Sequence, residues 1–218
     1  MNIVLLGKPA SGKGTQARIL SEKLHYFHLS PGQQFGKLIK ENGPLSQEIE
    51  HFYQAGELVP DSITTTIVRK FIEEHSKTSG IIFDGYPRDT VQAMSLKQLL
   101  HAAGSQIDLA LLIDIADKEV IRRITGRRIC STDQQHIFHL IFNPPKKKDI
   151  CDFCGGALYQ REDDSEESAL RRVDVFYEET HQLIKLFEQE KILYSINGKG
   201  SIDTITQNLE KVIHEHKQ

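Results

Sequence analysis

A doubly wound α/β fold with a five-stranded parallel sheet is what this sequence predicts. Three observations carry it: short unbroken apolar runs, helical periodicity between them, and a glycine-rich turn directly after the first run. Ile3 to Leu6 is apolar throughout and ends at Gly7, the pattern of a strand covered on both faces. From Thr15 to Leu24 apolar residues recur at Ala17, Ile19, Leu20 and Leu24, which predicts a helix. The same spacing returns at 62–74, 89–101, 117–125, 166–189 and 202–213. Phe27 to Leu29, Gly80 to Phe83, Leu109 to Ile113 and Ile192 to Ile196 supply the other four strands. Strands alternating with helices imply right-handed crossovers and parallel pairing.

At 218 residues the chain is long for one ordinary domain and short for two. Two stretches account for the surplus. Residues 30–60 fill the gap between the second and third strands with more chain than a crossover needs. Residues 128–163 are rich in glycine, proline and charge and hold all three cysteines. Both read as small insertions in one core made of 1–29, 61–127 and 164–218.

Charge and cysteine content narrow the function. Lys and Arg number 27 against 30 Asp and Glu, a net charge of −3, so the global basic field of a non-specific nucleic-acid binder is absent. The N-terminal apolar run is too short for a signal-peptide core, and no run reaches membrane-spanning length. A cytoplasmic protein without membrane or nucleic-acid partners is expected. Three cysteines crowded between positions 130 and 154 suggest a metal and not a disulfide framework.

The segment Gly7-Lys8-Pro9-Ala10-Ser11-Gly12-Lys13-Gly14-Thr15 follows the first strand and opens a helix, the context of a Walker A phosphate loop. Glycines let successive backbone N–H groups converge on phosphate oxygens, the helix N-terminus adds its dipole, and Lys13 reaches the β and γ phosphates. Gly14 stands between that lysine and Thr15, and this Gly-Lys-Gly-Thr ending resembles the adenylate kinase family, whose loop reads Gly-x-Pro-Gly-x-Gly-Lys-Gly-Thr. Ala10 replaces the fourth residue of that pattern. If the position needs positive φ, alanine costs about 1 kcal/mol.

The resemblance extends from residue 2 to about 213 and implies the P-loop NTPase core, an insertion for the nucleoside monophosphate and a mobile lid. Asp84-Gly85-Tyr86-Pro87-Arg88 matches the family's Asp-Gly-Phe/Tyr-Pro-Arg, which implies that Asp84 holds Mg²⁺ through water, Arg88 grips the acceptor phosphate and Gln92 meets the acceptor base. Glu57, Leu58 and Val59 lie in the family's Gly-x-Leu-Val-Pro, whose backbone reads the adenine edge. In Ser30-Pro31-Gly32-Gln33-Gln34-Phe35-Gly36 the chain departs: Pro31 and Gly36 stand where the family has a threonine and an arginine for AMP. Lys37 or Lys40 either replaces that charge or is a solvated surface lysine. On the donor side the resemblance implies contacts from Arg123, Arg127, Ile137, Phe138 and Gly200, and catalytic arginines at 127, 161 and 172 beside Lys13 and Arg88.

Cys130-x2-Asp133 and Cys151-x2-Cys154, separated by 17 residues, can set four ligands tetrahedrally for a structural Zn²⁺. Three inert thiols in a loop are the alternative. His136 and His139 fall off the paired spacing, and His139 is expected to pack within a hairpin.

The expected activity is transfer of the terminal phosphoryl group of MgATP to AMP, giving two ADP, by a monomer. The alternatives are a kinase for another nucleoside monophosphate, a silent nucleotide-binding regulator, and a zinc-ribbon nucleic-acid ATPase, the last disfavoured by the acidic balance.

Overall fold

The computed structural model describes residues 1–41, 43–55, 59–75, 79–133 and 136–217. Five parallel strands form the central sheet: β1 (Ile3–Gly7), β2 (Phe27–Leu29), β3 (Ile81–Asp84), β4 (Leu109–Asp114) and β8 (Leu193–Asn197), in the order β2-β3-β1-β4-β8. The five apolar runs are these strands. β1 lies at the centre, with Leu5 opposite Asp84 on one side and Leu111 on the other.

Why β1 is apolar at every position follows from the pleat. Val4 and Leu6 face one layer, where they pack with Phe83, Leu96 and Phe187; Ile3 and Leu5 face the other, with Leu20, Leu111 and Leu209. Helices α4 (Asp61–His75), α5 (Thr90–Ala102) and α8 (His181–Gln189) cover the first face, and α1 (Lys13–Leu24) and α9 (Ile202–Glu215) cover the second. With no face left to water, alternation disappears from the sequence. The carboxyl ends of β1, β3 and β4 converge on one edge, the place where open α/β sheets bind ligands.

Two departures interrupt the winding. Between β2 and α4 the chain makes α2 (Pro31–Glu41) and α3 (Pro44–Ala55), which close a small core around Phe35, Ile49 and Ile63. Between α6 (Asp117–Thr125) and α7 (Glu166–Val175) it makes a separate antiparallel sheet of β5 (Arg127–Cys130), β6 (Ile137–His139) and β7 (Leu158–Tyr159), with β5 in the middle. The periodicity at 166–189 resolves into α7, a π-helical segment Phe176–Thr180, and α8. Among the described residues no helix is long and apolar enough to cross a membrane.

Candidate active site and metal cluster

Pro9 to Thr15 run from the end of β1 into the first turn of α1. α1 begins on Gly12 at φ 101° with no side chain capping it, so its first N–H groups are offered to a ligand. Gly7 is required by crowding, because a Cβ there would lie 2.6 Å from the Ile113 carbonyl oxygen. Ala10 adopts φ 57°, the left-handed conformation that favours glycine at this place in the loop. Arg123 buckles the loop from outside: its Nη1 donates to the carbonyls of Ala10 and Ser11 at 3.4 and 3.2 Å, and its Nη2 to Gly198 at 2.9 Å. That last bond draws the connection carrying Gly200 toward the loop. The Ser11 hydroxyl is buried without a hydrogen-bond partner, a polar atom left over inside a phosphate loop.

Lys13 Nζ donates to the carbonyls of Gly7 and Lys8 at 2.6 and 3.0 Å. Burial pushes its ammonium down to about 8, with nearby Asp84 opposing and Arg88 adding to the shift. Asp84 ends β3 nearly buried, with Oδ2 3.3 Å from His28 Nε2 and close enough to Gly14 that a Cβ there would sit 3.3 Å from it.

On the acceptor side, Gly85 turns the chain at φ 75° and Arg88 projects into solvent, its Nε donating to the Gly85 carbonyl at 3.2 Å. Gln92 is buried. Its Oε1 accepts from the Arg88 backbone N–H at 2.9 Å and its Nε2 donates to Asp61 Oδ1 at 2.7 Å, so the amide orients the Arg88 turn. Tyr86, beside Pro87, is 1% exposed and packed in the main core, so its ring does not face a ligand. Pro31 opens α2 and is buried, Gly36 is half-buried, and Val59 packs on the small core. Glu57 and Leu58 lie outside the described residues.

Three arginines converge on two aspartates. Arg127 grips the fully buried Asp164 with two hydrogen bonds, Nε to Oδ2 at 2.9 Å and Nη2 to Oδ1. Arg161 holds Asp163 with two more, at 2.8 and 3.0 Å, and Arg172 shares Asp163 while lying 3.7 Å from Asp164. Burial works against the Asp163 charge, but Arg161 and Arg172 overcome it and hold its carboxyl below the usual range. Sequence reasoning named the arginines and missed both counterions, although the Asp-Asp pair follows Arg161 almost directly. Further along, the Phe142 ring lies 4.9 Å from the Arg122 guanidinium and 5.5 Å from that of Arg123. Ile137 is exposed, whereas Phe138 is 3% exposed and locked beside Cys130 and Cys151, which leaves only its backbone for a nucleotide. His139 packs inside the hairpin as expected: Nε2 faces the Arg122 carbonyl at 3.2 Å and Nδ1 accepts from the N–H groups of Ile141 and Phe142. Its burial pushes the imidazole below its usual range.

The cluster that the structure assembles differs from the expected metal set at its fourth place. Cys130, His136, Cys151 and Cys154 bring four ligand atoms within 4.8 Å of one another, and Asp133 is not in that group. Cys130 Sγ lies 3.4 Å from Cys154 Sγ, and Cys151 Sγ lies 3.5 Å from His136 Nδ1. Register explains it. Ile129 pairs with Ile137 across the β5–β6 hairpin, and Cys130 N–H donates to the His136 carbonyl at 3.1 Å, so position 136 returns opposite Cys130. Asp133 sits on the intervening turn, its Oδ2 3.7 Å from His136 Nε2. Burial opposes a Cys130 thiolate, but the N–H groups of Asp133 and Thr132 outweigh it and pull that thiol well below its ordinary value. Gly156 is needed here, since a Cβ would lie 2.9 Å from Cys130 Sγ.

Comparison with known proteins matches residues 5–192 to the family model for adenylate kinase. The chain is 39% identical to an adenylate kinase of Streptomyces coelicolor over 95% of each chain, and 41% identical to one of Methanothrix thermoacetophila over 98% of each. It is 37% identical to an adenylate kinase of Methanococcoides burtonii over the full length of both. Similarity that runs end to end, on a phosphate loop and strand order that would place such a site, leads to one conclusion: the chain belongs to the adenylate kinase family.

Proposed function

We infer that this chain catalyses reversible transfer of the terminal phosphoryl group of ATP to AMP, giving two ADP. The observation that carries the reading is the convergence of Lys13, Asp84 and Arg88 at neighbouring strand ends. Phosphoryl transfer spreads charge over the equatorial oxygens and asks the protein for positioning and positive groups. In this reading the backbone N–H groups from Ala10 to Thr15 and Lys13 take the donor phosphates, and Arg88 takes the acceptor phosphate. Arg127, Arg161 and Arg172 supply charge to the transferring group, while Asp163 and Asp164 hold three mutually repelling guanidinium groups together before nucleotide arrives. The Lys13 ammonium, weakened by burial in the free protein, gains its full charge when phosphate oxygens replace the two carbonyls.

Two ions complete the reading. A carboxylate beside Gly14 is the hard oxygen donor Mg²⁺ selects, and Asp84 would hold the ion that comes with ATP. Cys130, His136, Cys151 and Cys154 offer the four sulfur and imidazole donors that a structural Zn²⁺ takes, so an ion held there would cross-link two turns. Asp133 would orient His136 through Nε2, as carboxylates commonly do for metal-bound imidazoles. We take the protein to be a cytoplasmic monomer.

A second reading, a kinase for another nucleoside monophosphate, draws on Pro31 and Gly36. A coupled assay of MgATP against AMP, GMP, CMP, UMP and dTMP tests both. AMP is expected to give the highest kcat/KM; preference for another acceptor would favour the second reading, and silence with all five would overturn both.

A further inference from the structure

Lys8 is a phosphate-loop residue whose side chain the transfer chemistry does not use. Its side chain is 9% exposed, and a lysine is rarely buried this far unless paired. Nζ donates to the Ile115 carbonyl at 2.9 Å, lies 2.7 Å from Asp117 Oδ1 and 3.8 Å from Asp114 Oδ1, and sits 5.2 Å from the centre of the Tyr177 ring. The Tyr177 hydroxyl donates to the same Asp117 carboxylate at 3.1 and 3.3 Å. Burial works against the Lys8 charge, but the bonds to Asp117 and Tyr177 outweigh it and raise its pKa, while Lys8 holds the Asp117 carboxyl below its ordinary range.

The partners matter because of what they carry. Asp117 is the first residue of α6, whose far end supplies Arg123 to the carbonyls of Ala10 and Ser11. Tyr177 lies on the π-helical segment that directly continues α7, the helix bearing Arg172. Such segments are uncommon and concentrate at functional sites. The backbone of Lys8 meanwhile accepts from Lys13 Nζ. One side chain therefore joins the carbonyls that seat Lys13 to both helices that bring arginines to the site.

We propose that Lys8, through Asp117 and Tyr177, is a positioning residue for phosphoryl transfer that sets where Lys13 stands relative to the Arg172 helix. The proposal rests on the transfer reading above. Small misplacements of a group that acts in the transition state lower turnover more than binding.

The test uses the whole protein with MgATP and AMP. Lys8→Met should lower kcat roughly ten- to a hundredfold while the AMP KM stays within about threefold. Lys8→Arg should recover much of that loss. Asp117→Asn should act in the same direction, and combining it with Lys8→Met should cost little more than either alone. Tyr177 is half-exposed, so Tyr177→Phe guards against misfolding; it should lower kcat severalfold with melting unchanged. Independently of turnover, the Lys13 Cε resonance should titrate differently in Lys8→Met than in the natural chain. If the natural protein turned over normally and these variants lost only melting temperature, with kcat within twofold and the Lys13 titration unmoved, Lys8 would be a structural strut and the proposal overturned. A natural protein silent with all five monophosphates would defeat the transfer reading and this proposal with it, an outcome distinct from an active protein whose variants keep their turnover.

Discussion

Replacing Gly36 by arginine separates two consequences of one position. Gly36 lies within α2, and a Cβ built there meets nothing within 4 Å, so a longer side chain has room to leave the helix. An interior glycine costs a helix about 1 kcal/mol relative to a good helix former. For a chain of this size that amount corresponds to a rise of roughly 2–4 °C in Tm. The second consequence is chemical: an arginine at 36 would join Arg88 on the acceptor phosphate, and one charge-assisted hydrogen bond contributes about 1.5–3 kcal/mol. The AMP KM should then fall about ten- to a hundredfold with the ATP KM unchanged. If a native lysine substitutes for it, helical spacing favours Lys40, which is four residues on and shares the Gly36 face, whereas Lys37 is turned about 100° away. Lys40→Ala should therefore raise the AMP KM more than Lys37→Ala. Steady-state kinetics beside thermal unfolding give both readouts. A Tm gain with AMP kinetics unchanged, and both lysine variants silent, would put position 36 outside the acceptor site.

Lys13→Ala should lower turnover by orders of magnitude with little loss of fold, and more than about a tenth of native turnover would refute the phosphate-loop assignment. Because the free Lys13 ammonium is held at about 8 and bound phosphates raise it, MgATP binding should take up protons near pH 8 and weaken as pH rises above that; calorimetry in buffers of different ionisation enthalpy measures it. Metal analysis should find about one zinc per chain, and His136→Ala should lower metal affinity and Tm more than Asp133→Ala, the reverse of what Cys-x2-Asp spacing implies. Asp164→Asn should cost on the order of 3 kcal/mol by leaving Arg127 without its buried counterion, read as a Tm drop of roughly 10 °C.

What could be read in advance was what depends on neighbours along the chain. β1 announced itself because burial on both faces removes alternation, and the phosphate loop because strand, glycines, lysine and helix are contiguous. The family's glycine at position 10 raised the question of a positive φ there, and Ala10 adopts one. What could not be read depends on register and packing. His136, and not Asp133, gathers with the three cysteines because a hairpin returns it opposite Cys130, and no spacing rule within one turn encodes that. Tyr86 and Phe138 sit at expected site positions, yet their rings fill cores. The π segment is hidden inside a helical period that continues through it, and with it the route from Lys8 to Tyr177.

The stretch from 128 to 163 leaves and rejoins the core at almost one point. Arg127 and Asp164 are bonded to each other across its base, and Gln160 Nε2 donates to the carbonyls of both Thr125 and Asp164. A loop pinned at its mouth has already met most of its closure entropy there, and doubling a loop's length adds only about 0.6 kcal/mol. The small sheet and the exposed turns can therefore change length at little closure cost to the five-stranded sheet. Such a stretch tolerates insertion and deletion, provided that Arg127 and Asp164 still find each other and Arg161 keeps its place beside them.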